Sequence, residues 1–275
     1  MPGEAYGPAS QLALTDPGGS LDKCQAANNN GTVPKRLKVL TTPSCFSCQS
    51  RDRNEWSSLA GVDLDLLERA KTCNVYEPGQ VVFYEGNACL GIHCLESGSV
   101  KLRRTGPKGE EIVVGLVGPG VTLGYLAYFG GRGYTTTAEA LTACRICFID
   151  RAAVKAVLQA SPSVGLAFLR RLADDVDRSE GDRVKALSLP LRARAAHLLL
   201  VLKDRSASAD DEGRLTIELP LTRRDLAAML GTRPESLSRL IRDFATDGVA
   251  HFGPREVVVP DLDILLDELE RVAEG

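Results

Sequence analysis

Several features that are missing from the sequence limit the class of protein it can encode. It contains no run of 18 or more apolar residues, so we expect no transmembrane helix. The chain does not begin with basic residues followed by an apolar stretch, so a secretory signal is not expected. A net charge of −3 excludes a wholly basic, histone-like nucleic-acid binder but leaves room for a local basic face. We therefore expect a cytoplasmic protein with no membrane partner.

Cysteine is too sparse for a disulfide-stabilised scaffold, since there are 8 among 275 residues. In a cytoplasmic chain most of them should be reduced. Some are then expected to pack as small hydrophobic residues and others to bind a metal. The apolar content of 44% is ordinary for a globular protein, and the length suggests about two domains.

Composition divides the chain into four segments. Residues 1–42, rich in Gly, Pro, Ser and Asn, predict a poorly ordered N-terminal extension. Residues 43–160 begin with a cysteine-containing loop and an amphipathic helix. They continue as short β-type runs between Gly-containing turns, among them runs over 121–127 and 135–150, which favours an antiparallel sandwich or barrel. Residues 161–188 predict one helix, and residues 189–275 predict a second domain, so the fold class is α+β.

The helix over 161–188 carries a broken apolar stripe next to several acidic residues. Such a stripe is typical of a weak packing seam between two subunits. The alternative is a helix packed only on its own domain. The stripe consists of Leu166, Leu169, Leu172, Val176, Val184 and Leu187.

A helix-turn-helix is predicted in the second domain. Thr222 with Asp225 three residues later is an N-terminal capping signal. Gly231 suits the sharp turn that ends the first helix, because glycine tolerates the left-handed conformation. Thr232 and Pro234 suit the start of the second helix. The alternation of apolar and polar residues that follows, around a turn at Gly253-Pro254, predicts a β-wing.

The exposed face of this motif has the chemistry of a DNA reader. Between Thr222 and Arg242 there are five arginines and two acidic residues, a local charge of +3. Arginine can pair bidentately with guanine, and glutamate can accept a hydrogen bond from cytosine. The alternative is an ordinary helix pair with solvated charges. We expect the DNA contacts to come from Thr222, Arg233, Glu235, Ser238 and Arg239.

The barrel turns, followed by a long helix and a helix-turn-helix, resemble the bacterial CRP/FNR family of transcription regulators. The turns that carry the resemblance include Glu77-Pro78-Gly79, Glu85-Gly86-Asn87 and Gly118-Pro119-Gly120. The resemblance implies a cyclic-nucleotide-binding-like jelly-roll barrel, a dimerisation helix over 161–188 and a winged helix-turn-helix. It also implies a homodimer that binds double-stranded DNA and RNA polymerase. The resemblance further implies that the protein is not an enzyme.

Cyclic-nucleotide control is not expected. Family members that bind cyclic nucleotides carry Gly-Glu-Leu and then an Arg-Ser/Thr pair, whereas this chain has Gly124-Tyr125-Leu126 and Thr135-Thr136-Thr137. Without a paired cation, burying a phosphate is costly. The segment Glu235–Arg239 instead resembles the Glu-x-x-Ser-Arg of the FNR branch. That resemblance implies a palindrome of TTGAT-type half-sites matched to a two-fold dimer.

The FNR resemblance also implies an oxygen- or nitric oxide-sensing [4Fe–4S] cluster on four cysteines. Cys45, Cys48 and Cys147 resemble three of the ligands, while Trp56 occupies the position of the remaining one. Cys24 is a candidate replacement, because a longer flexible loop adds only about 1 kcal/mol to the cost of closure. Zinc on the same thiolates, or no cofactor, are the alternatives.

The remaining cysteines are expected to be structural. Positions three apart on a strand point to opposite faces, so Cys144 and Cys147 should not share a metal, and one of them should enter the core. Cys73, Cys89 and Cys94 are expected to pack as small hydrophobic residues. His93 is either a haem ligand or a structural strand residue, and the structural interpretation is preferred.

Three other functions are consistent with parts of the sequence. A constitutive or thiol-switched regulator of the same fold needs no cluster. A disulfide oxidoreductase would use Cys45 and Cys48, but no strand precedes them as a βαβ unit requires. A small-molecule-controlled regulator would have its pocket near Tyr125 and Tyr128.

Overall fold

The computed structural model describes residues 44–210 and 213–270. The predicted N-terminal extension and Cys24 lie outside the described residues. The described chain begins with two short 3-10 turns, Cys45–Ser47 and Arg51–Arg53, and the helix α1, Gly61–Ala70. Leu64 and Leu67 form the buried side of α1.

Eight strands and a short helix build the first domain. They are β1 (Lys71–Tyr76), β2 (Val81–Phe83), β3 (Gly91–Ser97), β4 (Val100–Thr105), β5 (Glu111–Val117), β6 (Thr122–Leu123), α2 (Tyr125–Phe129), β7 (Thr137–Ala140) and β8 (Cys144–Asp150). One sheet has the order β1-β8-β3-β6 and the other β2-β7-β4-β5. Leu95 and Ile146 from the first sheet share a buried core with Val100 and Ala138 from the second. The domain is therefore a jelly-roll-like pair of facing sheets and not a closed barrel.

Two segments differ from the sequence prediction. The strand expected over 121–127 ends at Leu123, because Gly124 adopts a φ of +82° and α2 begins immediately after it. The strand expected over 135–150 divides into β7 and β8, separated by a turn at 141–143.

A pair of helices leads out of the first domain. The carboxylate of Asp150 accepts hydrogen bonds from the amides of Ala152 and Ala153 and so caps α3, Arg151–Ala160. The long helix α4 spans Pro162–Ser188, close to the predicted 161–188. Its buried face carries Val164 and Phe168.

The second domain is a winged helix-turn-helix. It comprises α5 (Leu191–Ser206), β9 (Ala207–Ala209), β10 (Leu215–Glu218), α6 (Arg223–Met229), α7 (Pro234–Thr246), β11 (His251–Phe252), β12 (Glu256–Val259) and α8 (Leu262–Glu270). The strands form one antiparallel sheet in the order β11-β12-β10-β9. Its core is built around side chains that include Ile217, Leu237 and Phe244.

Among residues 44–210 and 213–270, no single helix has the length and apolar character needed to cross a membrane. The helices α3 and α4 meet that test only when they are taken together, as a pair bent by 110°.

Candidate nucleic-acid interface and cysteine cluster

The first helix of the motif begins with the predicted capping box. The Thr222 hydroxyl accepts a hydrogen bond from the amide of Asp225 at 3.1 Å, and the Asp225 carboxylate accepts one from the amide of Thr222 at 3.0 Å. Two otherwise unpaired donors at the helix start are thereby satisfied. The turn that follows α6 uses Gly231 with φ +60°, as the sequence predicts.

The second helix, α7, separates its core-facing and solvent-facing side chains cleanly. Leu237, Leu240 and Phe244 are buried in the domain core. The exposed side chains include three of the predicted DNA contacts, Glu235, Ser238 and Arg239, and a fourth, Arg233, is exposed at the N-cap of the helix. The fifth, Thr222, is exposed at the start of α6. The five predicted contacts therefore lie within one motif and are open to solvent.

The wing is attached to α6 by an arginine that the sequence did not single out for this role. The Arg223 guanidinium donates a hydrogen bond to the backbone oxygen of Phe252 at 3.2 Å and lies 5.5 Å from the centre of its ring. Because Phe252 is in β11, this contact fixes the wing relative to the helix pair.

Cys147 is bonded to another cysteine in this structure. It forms a disulfide with Cys73, although Cys73 was expected to pack as a small hydrophobic residue. The two residues are direct cross-strand partners in β1 and β8. Their proximity follows from strand register between positions 74 residues apart, which the sequence pattern does not reveal. A sulfur in this bond is not a thiolate and cannot ligate a cluster.

Cys94 lies on the other side of Cys147 in the same row of the sheet. The two residues are direct partners in β3 and β8, so their side chains share one face. The interior core contains Cys144, in agreement with the prediction that Cys144 and Cys147 point to opposite faces. Burial raises the pKa of the Cys94 thiol to about 12 and that of Cys45 to about 11.

The segment before α1 connects this cysteine-bearing face to the long helix. Trp56, at the position of the expected third cysteine, is 1% exposed and packs edge-on against Phe168 of α4, with ring centres 5.4 Å apart. The buried Glu55 carboxylate accepts a hydrogen bond from Thr122 at 2.6 Å and lies 4.0 Å from the Arg171 guanidinium. Glu55 and Trp56 therefore link the cysteine-bearing face of the sheet to α4, so a structural change at that face can reach the helix.

In this disulfide-bonded form the described cysteines are not grouped as a metal or cluster site, and Cys24 lies outside the described residues. Among residues 44–210 and 213–270, no three His, Cys, Asp or Glu side chains are grouped to hold a metal ion. Cys147 is in a disulfide, so its sulfur is not available as a thiolate ligand in this form.

Aromatic side chains fill the interior between the two sheets. Tyr134 stacks on Phe83 with ring centres 4.0 Å apart, and its hydroxyl lies 3.2 Å from Nε2 of His93. Burial lowers the pKa of His93 to about 4, so the ring is neutral at physiological pH. These contacts favour the structural interpretation of His93. A side-chain carbon added at Gly124 would lie 2.9 Å from the Tyr134 ring.

A winged helix-turn-helix joined to a jelly-roll domain by a long helix defines a DNA-binding transcription regulator. The family profile "Cyclic nucleotide-binding domain" matches residues 73–161, and "Crp-like helix-turn-helix domain" matches residues 193–268. The chain belongs to the CRP/FNR family of bacterial transcription regulators. Its relatives are regulators and not enzymes.

The similar proteins include both branches of the family. The chain is 29% identical over 238 residues to the transcriptional activator protein FnrL of Cereibacter sphaeroides, which covers 84% of this chain and 94% of the relative. It is 27% identical over 183 residues to the CRP-like cAMP-activated global transcriptional regulator of Mycobacterium tuberculosis, covering 66% of this chain and 81% of that protein. The structure of FixK2 from Bradyrhizobium japonicum has a TM-score of 0.61 at 21% identity and covers 72% of this chain and 96% of its own.

The half-buried Cys45 thiol should react slowly with iodoacetamide in the folded, reduced protein. Raising its pKa from 9.0 to about 11 lowers the thiolate fraction at pH 8 by about 100-fold, and only the thiolate attacks. Mass spectrometry of the Cys45 peptide would measure the rate, with the urea-unfolded chain as the control. Equal rates in the folded and unfolded chains would contradict the assignment of Cys45 as a half-buried, protonated thiol.

Proposed function

We propose that this chain is a homodimeric regulator of the FNR branch whose DNA binding responds to the oxidation state of its sensory-domain cysteines. The observation that carries the proposal is the Cys73–Cys147 disulfide, which lies on the sheet face bearing Cys94. The buried Glu55 and Trp56 lie between that face and the long helix α4. As a DNA-reading regulator the protein acts in the cytoplasm, and the family resemblance implies that RNA polymerase is a partner.

The recognition helix supports reading of a palindromic TTGAT-type site. Glu235, Ser238 and Arg239 are exposed on α7, while the other side of the helix is buried. The N-terminal end of α7 carries the partial positive charge of a helix start, which favours a nearby phosphate. Thr222 and Arg233 are assigned to the backbone contacts that fix register, and the three α7 residues to base reading.

The helix α4 supports a two-fold dimer. Five of the six residues in the predicted stripe are exposed in the single chain, namely Leu166, Leu169, Val176, Val184 and Leu187. Exposed apolar side chains at helical spacing need a partner surface, and a second α4 supplies one of matching length. Asp175, one of the acids beside the stripe, is paired with Arg171 and Arg178, which reduces its repulsion of a second helix.

The proposed redox step is the oxidation of two cysteine thiols to a disulfide. Hydrogen peroxide takes two electrons and two protons from the thiols of Cys73 and Cys147, which form a disulfide as two water molecules leave. Reduction by a small thiol reverses the change. Because Glu55 and Trp56 couple this region to α4, the oxidation state alters the surface on which the dimer is built.

A [4Fe–4S] cluster on Cys24, Cys45, Cys48 and Cys147 is the second candidate sensor. The observation in its favour is that Cys45 packs against the same apolar cluster as Cys94, the register neighbour of Cys147. The cluster and the disulfide exclude each other, since both use the Cys147 sulfur. Control by a cyclic nucleotide is not proposed, because the packing of Tyr134 and Phe83 supports a filled interior.

Replacing Arg239 with alanine should weaken binding to a TTGAT-type palindrome by ~1–3 kcal/mol, because a bidentate base contact is lost. Binding to random DNA should change far less. Fluorescence anisotropy with both duplexes measures the difference. Arg69→Ala removes the same charge from an exposed position on α1 and serves as the control. An equal loss on both duplexes would contradict the base-reading role.

Substituting Leu169 with glutamate should convert the proposed dimer to a monomer, because Leu169 is a 61% exposed member of the apolar stripe of α4. Light scattering after size-exclusion chromatography measures the mass in solution. Val62→Glu introduces the same charge at an 82% exposed position on α1 and should leave the dimer intact. A dimer that survives Leu169→Glu places the interface elsewhere.

Two cysteine-to-serine substitutions, each made alone, distinguish between the two proposed redox sensors. Cys73→Ser removes the disulfide without touching the proposed cluster ligands, and Cys48→Ser does the reverse. We expect DNA binding of the wild type and of Cys48→Ser to fall on peroxide treatment, and that of Cys73→Ser to stay constant. The opposite result, together with iron and sulfide in anaerobically purified protein, would replace the disulfide model with the cluster.

A further inference from the structure

The DNA-binding domain is docked on the outer face of the second sensory sheet. The strand β5 contacts α6, and Leu116 and Leu141 from the sensory domain pack against the core of the C-terminal domain. Leu116, Lys101 and Glu139 are cross-strand partners in β5, β4 and β7, so they form one row on this face. The contact surface is therefore part apolar and part charged.

A lysine lies at the centre of this contact. The Lys101 ammonium is 3.0 Å from Oδ1 of Asp225 in α6 and 3.1 Å from Oε1 of Glu139 in its own sheet. The Lys101 and Asp225 side chains are 10% and 12% exposed, so the pair is largely removed from water. Arg103 donates to the other oxygen of Glu139 at 3.2 Å and holds that carboxylate in place.

The carboxylate of Asp225 serves both domains. Its Oδ2 accepts hydrogen bonds from the amide and the hydroxyl of Thr222, at 3.0 and 2.7 Å, and so caps α6. Its Oδ1 accepts the hydrogen bond from Lys101. One side chain thus starts the first helix of the DNA-reading motif and joins that helix to the sensory sheet.

We propose that Lys101 is a positioning residue for DNA recognition, because it binds the capping carboxylate of Asp225 and fixes the helix-turn-helix against the sensory sheet. Burial alone would lower the pKa of Lys101, but the hydrogen bonds and charges of Asp225 and Glu139 outweigh it, so the ammonium stays charged. Rotating the domain away would separate the largely buried ion pair of Lys101 and Asp225 and leave Lys101 with Glu139 as its acidic partner.

The docked arrangement leaves the recognition surface free. Glu235, Ser238 and Arg239 are exposed while Lys101 holds Asp225. A dimer reads two half-sites only if both recognition helices have the separation and angle that successive major grooves demand. A contact that restricts the orientation of each domain therefore favours specific binding, and has little effect on the sequence-independent attraction to phosphates.

Lys101→Met tests the assignment in the full-length protein. We expect at least about a tenfold loss of affinity for the TTGAT-type palindrome, with affinity for random DNA unchanged. Lys101→Arg keeps a cation between the two carboxylates and should restore specific binding. Lys108→Met removes a lysine from the exposed turn after the same strand and should leave both affinities unchanged. Wild-type or tighter binding of Lys101→Met to the palindrome overturns the proposal.

A second measurement needs no DNA and is independent of the proposed target site. Hydrogen–deuterium exchange should quicken in β5 and α6 of Lys101→Met and stay constant in β1 and β8, which lie in the other sheet. Unchanged exchange in α6 overturns the docking role. If the wild-type protein does not bind the palindrome, the proposed target site is wrong. The exchange measurement still tests the role of Lys101 in that case. If Lys101→Met does not fold, Glu139→Gln takes its place as the test variant. We then expect a smaller increase in the exchange rate of β5 and α6.

Discussion

The packing of Phe168 is the contact on which the first domain depends. This ring on α4 meets Trp56 from the N-terminal segment and Phe129 from α2, with ring centres 5.4 and 5.1 Å apart. Burying a side chain of this size contributes about 1.5–3 kcal/mol. Because α4 is anchored on this side, five of the six apolar residues of its stripe remain exposed on the rest of the helix surface. In the proposed dimer, the sensory domain would therefore determine where the second subunit binds.

Local features of this chain were predictable because their causes lie within a few residues. The capping box of Thr222 and Asp225, the turn at Gly231 and the apolar spacing of α7 each depend on neighbours along the chain, and the structure has all three. The long helix was likewise within a residue of its predicted start, since Pro162 suits a first turn.

Long-range features were not predictable from the sequence. The pairing of Cys73 with Cys147 depends on the register of β1 against β8, and β1 has no strong strand pattern of its own. The contact of Lys101 with Asp225 joins positions 124 residues apart in different domains. Neither residue type nor spacing distinguishes such a pair from solvated charges. Trp56, noted only as a missing cysteine, proves to be a buried packing residue.

The position of Tyr134 has a consequence for how this fold could acquire a ligand. Its hydroxyl donates to the backbone oxygen of Gly91 at 3.2 Å, and its ring occupies the space beside Gly124 and Phe83. Glutamate at position 125, as in the Gly-Glu-Leu of the cyclic-nucleotide binders, would replace a buried tyrosine that packs near Phe168, and Tyr134 would still fill the space between the sheets. A chain that evolved from this one toward nucleotide control would first have to exchange an aromatic ring for a smaller side chain, and would lose core packing before it gained any affinity.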